Sequence, residues 1–257
     1  MSLTLNFYDD LADSYHLIFE DWYHAIKWQG ELFDKLIKTH LPLNSPENVS
    51  LLDVSCGIGT QSLGLAKYNY NITATDLSPK SIERARNEAI KLGTKINFGV
   101  ADIRTLETDV KGKYDVVLSA DNAIPHMLTD DDLVRACDNL YNKLHINGLL
   151  ILTIRDYDDL IQEKPKTTYP RIMENGKRIV FQVWDWLEDG RTYITSQFIV
   201  QDKEGVWLTQ VNKTYYRALL KNELSQFLLS AGFKDITWFM PLQTGFYQPI
   251  VTAIKAN

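Results

Sequence analysis

The stretch that most constrains this chain is Leu51-Leu52-Asp53-Val54-Ser55-Cys56-Gly57-Ile58-Gly59-Thr60. An apolar run ends in an acid, a small residue follows, and two glycines sit one residue apart. Such a run marks a strand buried on both faces of a parallel sheet. Gly57 and Gly59 then allow a sharp turn and leave no Cβ between the backbone and a ligand. The amides opening the next helix point at that ligand and favour negative charge. A strand, a tight loop and a helix are expected here, with the loop as a binding site.

Asn71-Ile72-Thr73-Ala74-Thr75-Asp76 is a second β-branched run ending in an acid, roughly 20 residues beyond the glycines. At that spacing a nucleotide-binding unit holds ribose hydroxyls. The dinucleotide fingerprint asks for a third glycine where Ser62 stands, so no pyrophosphate site forms and an NAD-type oxidoreductase is the weaker reading. Ile96 to Val100 leads into Ala101-Asp102-Ile103, and Tyr114 to Ser119 into Ala120-Asp121-Asn122. Four strands thus end in Asp or Asn at the carboxyl edge of the sheet, where open α/β folds bind ligands.

The segments Asp53-Val54-Ser55-Cys56-Gly57-Ile58-Gly59, Asp76 and Ala101-Asp102 resemble the first three motifs of class I S-adenosylmethionine-dependent methyltransferases. The resemblance implies S-adenosylmethionine as cofactor. It places the Gly57–Gly59 backbone under the methionine part, Asp76 on the ribose hydroxyls and Asp102 on the adenine amino group. Asp53, Ser55, Leu77, Ile103, Ala120 and Asn122 complete the expected donor site, with Tyr15 and Trp22 contributed by the N-terminal stretch. Another nucleotide on a Rossmann-like domain, or a catalytically silent binder of the same cofactor, are the alternatives.

The remaining pattern gives the architecture. Residues 3–40 read as helical cover, with Ile26, Leu32, Phe33, Leu36 and Ile37 at helical spacing and aromatics interleaved with acids before them. Residues 1–45 are accordingly expected to form a helical lid that shields the donor from water, with Leu41 to Pro46 as linker. Ser78 and Pro79 start a helix that Gly93 stops. Thr129 and three aspartates start another, with Leu133, Ala136, Leu140 and Leu144 as its buried stripe. Asn147-Gly148 turns into a fifth strand, Leu149 to Ile154. Glu174-Asn175-Gly176, Glu188-Asp189-Gly190 and Lys203-Glu204-Gly205 then punctuate aromatic and β-branched runs about every fifteen residues, an antiparallel meander of three or four strands. Leu220 to Ala231 is helical, and Ile236 to Met240 and Ile250 to Ile254 are closing strands, the latter an antiparallel edge. The fold class is α/β: a Rossmann-like, seven-stranded, mostly parallel sheet with helical N-terminal cover and an inserted β meander. Residues 46–156 and 218–257 form the donor-binding domain and 157–217 the insertion.

The formal net charge of −6, with dispersed Lys and Arg, disfavours a nucleic-acid partner. No apolar stretch is long enough to span a membrane. The five histidines and two cysteines have no metal-ligand spacing, so no metal is expected. Two cysteines and acids near the start suit a cytoplasmic protein. Oligomeric state is open.

The methyl acceptor is expected where strands four and five end. The chain lacks the Asn/Asp-Pro-Pro-aromatic segment of enzymes that methylate planar nitrogens. Arg155, leaving a buried strand, can meet a carboxylate as a planar fork, or bridge to Asp156 or Asp158. Asp121-Asn122…His126, Arg155-Asp156-Tyr157-Asp158 and the opening Tyr8-Asp9-Asp10-Leu11-Ala12-Asp13 resemble glycine and glycine/sarcosine N-methyltransferases. That resemblance implies a small-molecule acceptor such as glycine or sarcosine, its carboxylate held by Asn122, Arg155 and one of Tyr215 or Tyr216. A phenol, another carboxylated amine or a natural product is the alternative acceptor. The expected reaction is in-line displacement by a neutral amine, with His126 as a candidate for its proton and a structural role for that ring as the other reading.

Overall fold

A computed structural model describes residues 3–41 and 46–256. Of the linker expected from Leu41 to Pro46, residues 42–45 lie outside the described residues. The first strands are β1 (Ser50–Asp53), β2 (Asn71–Asp76), β3 (Asn97–Val100), β4 (Tyr114–Ser119) and β5 (Leu144–Thr153). They are all parallel to one another. With β10 (Phe233–Phe239) and β11 (Ile250–Lys255) they make one seven-stranded sheet, in the order β10-β11-β5-β4-β1-β2-β3. Strands β6 (Arg171–Met173), β7 (Arg178–Trp186), β8 (Thr192–Lys203) and β9 (Val206–Arg217) form a separate antiparallel sheet in chain order. The expected meander therefore has four strands.

Two sequence expectations need correction. β11 is not an edge: it lies between β5 and β10 and pairs antiparallel with both. Its run Ile250 to Ala253 is buried throughout, as an interior strand requires. Leu144 belongs to β5 rather than to the preceding helix. That strand starts earlier than its apolar run and crosses an irregular pairing at Asn147, which has φ 64°.

The helices are α1 (Leu3–Leu11), α2 (Trp22–His40), α3 (Thr60–Leu65), α4 (Pro79–Leu92), α5 (Leu106–Asp109), α6 (Asp130–Lys143), α7 (Tyr157–Glu163), α8 (Lys221–Ser230) and α9 (Pro241–Thr244). Ser78 caps α4 through the Ser81 amide and Thr129 caps α6 through the Asp132 amide, as their spacing predicts. Alternate residues of each central strand feed opposite layers. Leu51, Val116, Leu118, Leu149 and Ile151 pack with Phe33 and Ile37 of α2. Leu52, Val117, Leu150 and Leu152 pack with Leu133, Ala136 and Leu140 of α6. Burial on both faces is why these strands read as continuous apolar runs. Helices α2 and α3 cross at Gly30 and Gly64, where a Cβ on Gly30 would stand 2.5 Å from the Gly64 carbonyl carbon. The long α2 reaches the sheet only because both positions lack a side chain.

The antiparallel sheet is not an independent unit. Trp184, Tyr193 and Tyr216 share one core cluster with Leu152, Ile154 and Tyr157 of the larger domain. Farther along the same face the sheet receives α1, with Phe7 and Leu11 buried against Met173, Val180 and Ile199. The N-terminal segment is thus clamped between the two sheets. Asp9 accepts from Ser78 Oγ at 2.5 Å, and Arg178 donates to the Phe19 and Glu20 carbonyls at 3.0 and 3.2 Å.

Candidate active site

Two cavities meet above the carboxyl ends of β1 to β5. The first, about 440 Å³, is lined by Ser55, Gly57, Asp76, Leu77, Asp102, Ile103 and Ala120, with Tyr215 on its far side. The second, about 1180 Å³, lies between the N-terminal segment and the antiparallel sheet and contains Asn122, Arg155 and Tyr216. Tyr8, Tyr15 and Asp121 line both, so they mark the junction.

The first cavity is acidic. Asp76 is buried and accepts from the Gly57 amide at 2.8 Å and the Ser78 amide at 2.9 Å. Burial nevertheless raises its pKa to about 6, against the pull of those bonds. Asp53 lies beneath the cavity floor, accepting from Ser62 Oγ at 2.6 Å and the Ser55 amide at 3.3 Å, and burial raises it to about 7. Its place is therefore under the Gly57 loop rather than in the donor cavity. Asp121 is also raised by burial. Of the four strand-end acids, only Asp102 has a cation partner among the described residues: Arg104, at 2.5 Å. Asp76 and Asp121 line the cavity without a cation partner among the described residues, and with Asp53 beneath its floor they make a site for a cation.

The loop glycines differ in what they do. Gly57 has φ +53°, and a Cβ there would project into open space. Gly59, with φ +95°, would instead carry a Cβ 3.1 Å from Leu63, so it serves the turn and the packing behind it. Trp22 stands outside both cavities: its indole N–H donates to Thr60 Oγ1 at 2.9 Å and its ring packs with Ile26, Ile58 and Leu63. The Gly57 cradle, the adjacent Asp76 carboxylate and the uncompensated acids fit a nucleoside that carries a positive sulfur.

In the second cavity Arg155 is the anchor. Its guanidinium donates to Tyr193 Oη at 2.8 Å and to Gln182 Oε1 at 2.9 Å, and it lies 4.8 Å from the Trp184 ring centre and 5.2 Å from that of Tyr216. Lys221 takes up Asp156, and Asp158 at 3.1 Å, which removes the bridges those acids could have made to Arg155. No carboxylate among the described residues pairs with Arg155, so a permanent charge faces the chamber within a neutral shell. Asn122 is buried, with φ 67°, and both ends of its amide are engaged. Oδ1 accepts from the Arg155 amide at 3.0 Å, and Nδ2 donates to Tyr157 Oη at 2.9 Å. It positions Arg155 through the backbone.

Strand alternation separates the two candidate tyrosines. Tyr216 is buried toward Arg155, whereas Tyr215 lines the first cavity and accepts through its carbonyl from His126 Nδ1 at 3.0 Å. A carbonyl only accepts, so Nδ1 carries the ring proton and Nε2 accepts from the Tyr8 hydroxyl at 2.9 Å. Both nitrogens of His126 are occupied, and burial lowers its pKa to about 3. Such a ring cannot hold a proton from an amine near neutral pH, so the structural reading of His126 prevails. Sequence reasoning did not single out Tyr8, Gln61, Gln182, Tyr193 or Tyr247, which surround these groups. Asp121 did carry a signal, as the acid ending β4. It accepts from Gln61 at 2.9 Å and from the Tyr247 hydroxyl.

Residues 51–148 match the model of the methyltransferase domain family. The chain is 30% identical over 154 residues, 60% of its length, to the glycine/sarcosine N-methyltransferase of Parasynechococcus marenigrum (strain WH8102), and that alignment spans about half of the relative (52%). It is 25% identical over 237 residues to the glycine/sarcosine N-methyltransferase of Aphanothece halophytica, covering 89% of the chain and 83% of that enzyme. Among solved structures, a S-adenosylmethionine-dependent methyltransferase from Clostridium acetobutylicum ATCC 824 superposes with a TM-score of 0.71 at 16% identity, over 89% of this chain and 90% of that one. No helix among the described residues is long and apolar enough to cross a membrane.

Proposed function

We propose, from the match of residues 51–148 to the methyltransferase domain family and the fold shared with S-adenosylmethionine-dependent methyltransferases, that the chain methylates the amine of a small, carboxylate-bearing molecule, the class that includes glycine and sarcosine. The observation that carries this reading is Arg155, a guanidinium with no acid partner among the described residues, on the wall of a chamber that opens onto the donor cavity.

When bound, the donor supplies a methyl group on a positive sulfur, whose departure as a thioether needs no acid. The residues of the chain bind and aim. Gly57 gives close backbone approach, Asp76 accepts from ribose hydroxyls, and Asp102 and Ile103 meet the adenine. Arg155, oriented by Tyr193 and Gln182, holds the acceptor carboxylate as a bidentate fork, with Tyr216 beside it. Asp121, at the junction, takes a proton from the acceptor ammonium. The freed nitrogen lone pair would then be placed to form the new N–C bond with a bound donor's methyl carbon, the C–S bonding pair leaving with sulfur. Holding these atoms in line supplies about 7–11 kcal/mol of the barrier reduction.

Arg155→Lys and Asp121→Asn test this together, with S-adenosylhomocysteine release as the assay and NMR of the product to locate the methyl group. Lysine keeps the charge and loses the fork, so kcat/KM for carboxylated amines falls at least ~100-fold while cofactor affinity stays unchanged. Asp121→Asn lowers kcat most below the acceptor amine's pKa and is relieved as pH rises. Wild-type kinetics in Arg155→Lys, or a methyl group found on oxygen, would overturn the proposal.

A further inference from the structure

Asp121 closes β4 in a left-handed backbone conformation, φ 58°, and Asn122 follows it with φ 67°. Asp and Asn tolerate that region better than other side chains, yet two in succession persist only where neighbouring contacts hold them. Thr153, at the end of β5, supplies those contacts. Its Oγ1 accepts from the Asp121 amide at 2.9 Å, and its carbonyl accepts from the Asn122 amide at 3.2 Å. The Thr153 hydroxyl in turn donates to Gln248 Oε1 at 2.8 Å. The turn sends Asn122 to the Arg155 amide and brings Asp121 to the junction of the two cavities.

The carboxylate is held as firmly as the backbone. Oδ1 accepts from the Tyr247 hydroxyl and Oδ2 from Gln61 Nε2 at 2.9 Å. Gln61 lines the donor cavity and Tyr247 the acceptor chamber, so one hydrogen-bond donor reaches Asp121 from each side. Each is itself fixed. The Gln61 amide nitrogen also donates to Oε1 of the buried Gln29 at 2.7 Å, which sets the end of the amide that faces the acid. The Tyr247 ring stacks on Phe246, with centroids 4.3 Å apart, and lies 6.0 Å from the Trp28 ring. The adjacent residues Tyr247 and Gln248 therefore pin one acid twice, by its side chain and, through Thr153, by its backbone.

We propose that Tyr247 and Gln61 are positioning residues of the methyl transfer, holding the Asp121 carboxylate across the junction so that its remaining lone pairs meet the acceptor ammonium. This rests on the N-methyltransferase reading above and deepens it. With one hydrogen bond on each oxygen, the carboxylate keeps further lone pairs free. One of them takes the ammonium proton: the O–H bond forms as the N–H bond breaks, and that bonding pair stays on nitrogen as the nucleophile. The two hydrogen bonds also favour the ionised acid, opposing the burial that raises its pKa. The other titratable groups facing Asp121 are Asp53 on β1, Tyr15 on the N-terminal segment and Tyr216 on β9, and Arg155 lines the same chamber. Substitution at 61 or 247 leaves all of these in place.

The test is the pH dependence of kcat for the full chain, read as S-adenosylhomocysteine release at saturating S-adenosylmethionine with glycine, sarcosine and L-alanine. Beside it runs an NMR titration of the Asp121 carboxyl carbon in the S-adenosylhomocysteine complex, its signal being the one missing from Asp121→Asn. Tyr247→Phe and Gln61→Leu each remove one hydrogen bond from the ionised carboxylate, which shifts its titration upward by about one pH unit or more. The acid limb of kcat moves with it, so kcat falls ~10-fold below the limb and less than ~3-fold on the plateau. The two variants lie on different elements, so failure of one to fold leaves the other to decide. An equal loss of kcat at every pH, or a carboxyl titration that stays put, sinks the positioning role and leaves the N-methyltransferase reading standing. Cofactor binding by the wild type without turnover of any of the three amines sinks that reading and this role with it.

Discussion

At the scale of single residues the site is a set of charges waiting for opposite ones. Asp53 and Asp76 titrate near 7 and 6 because burial raises them above an unfolded carboxylate near 4. A carboxyl group raised by folding lends its stability in the protonated form. That contribution is complete below about pH 4 and is lost as pH climbs through 6 to 7. A cationic donor favours the ionised acids, so its binding near pH 6 expels protons. Calorimetric titration with S-adenosylmethionine at pH 6, in two buffers of different ionisation enthalpy, should show that release, and it should fade by pH 8. Identical apparent enthalpies in both buffers at pH 6 would mean that the donor does not lie against Asp76. Asp76, Asp102 and Gly57 were legible from spacing alone, because they close strands of one parallel sheet. The engagement of both His126 nitrogens was not legible: its partners Tyr8 and Tyr215 come from positions 118 and 89 residues away.

At the scale of elements, α2 and α3 show how a local sequence serves a distant contact. Gly30 interrupts an otherwise good helix and costs roughly 0.5–1 kcal/mol in helix propensity relative to alanine. Its backbone nevertheless rests on Gly64, and a Cβ there would collide with backbone rather than with a movable side chain. Gly30→Ala should therefore lower thermal stability by about 1–3 kcal/mol despite the better propensity, since overpacking outweighs it. A differential scanning measurement showing a raised Tm would contradict the crossing. The same contrast explains β11. Its apolar run predicted a strand, but only pairing with both β5 and β10 made it interior.

At the scale of the whole molecule, the two sheets share a core through Trp184, Tyr193 and Tyr216, and the acceptor anchor hangs between them. Thermal unfolding should consequently be a single cooperative transition, and residues 157–217 expressed alone should show neither dispersed amide NMR signals nor protected amides. Two calorimetric transitions, or a folded fragment, would make the insertion a separate domain. The chain by itself determined the β-α alternation, the acids at the strand ends, the meander and its turns. Each is written in residues near one another, by periodicity, capping and turn chemistry. Only the tertiary structure decided which acids face the donor, which tyrosine faces Arg155 and what leaves Arg155 without an acid. Those outcomes depend on which side chains reach a shared space first: Lys221 claims Asp156 and Asp158 from 65 and 63 residues away, and no local pattern encodes that competition.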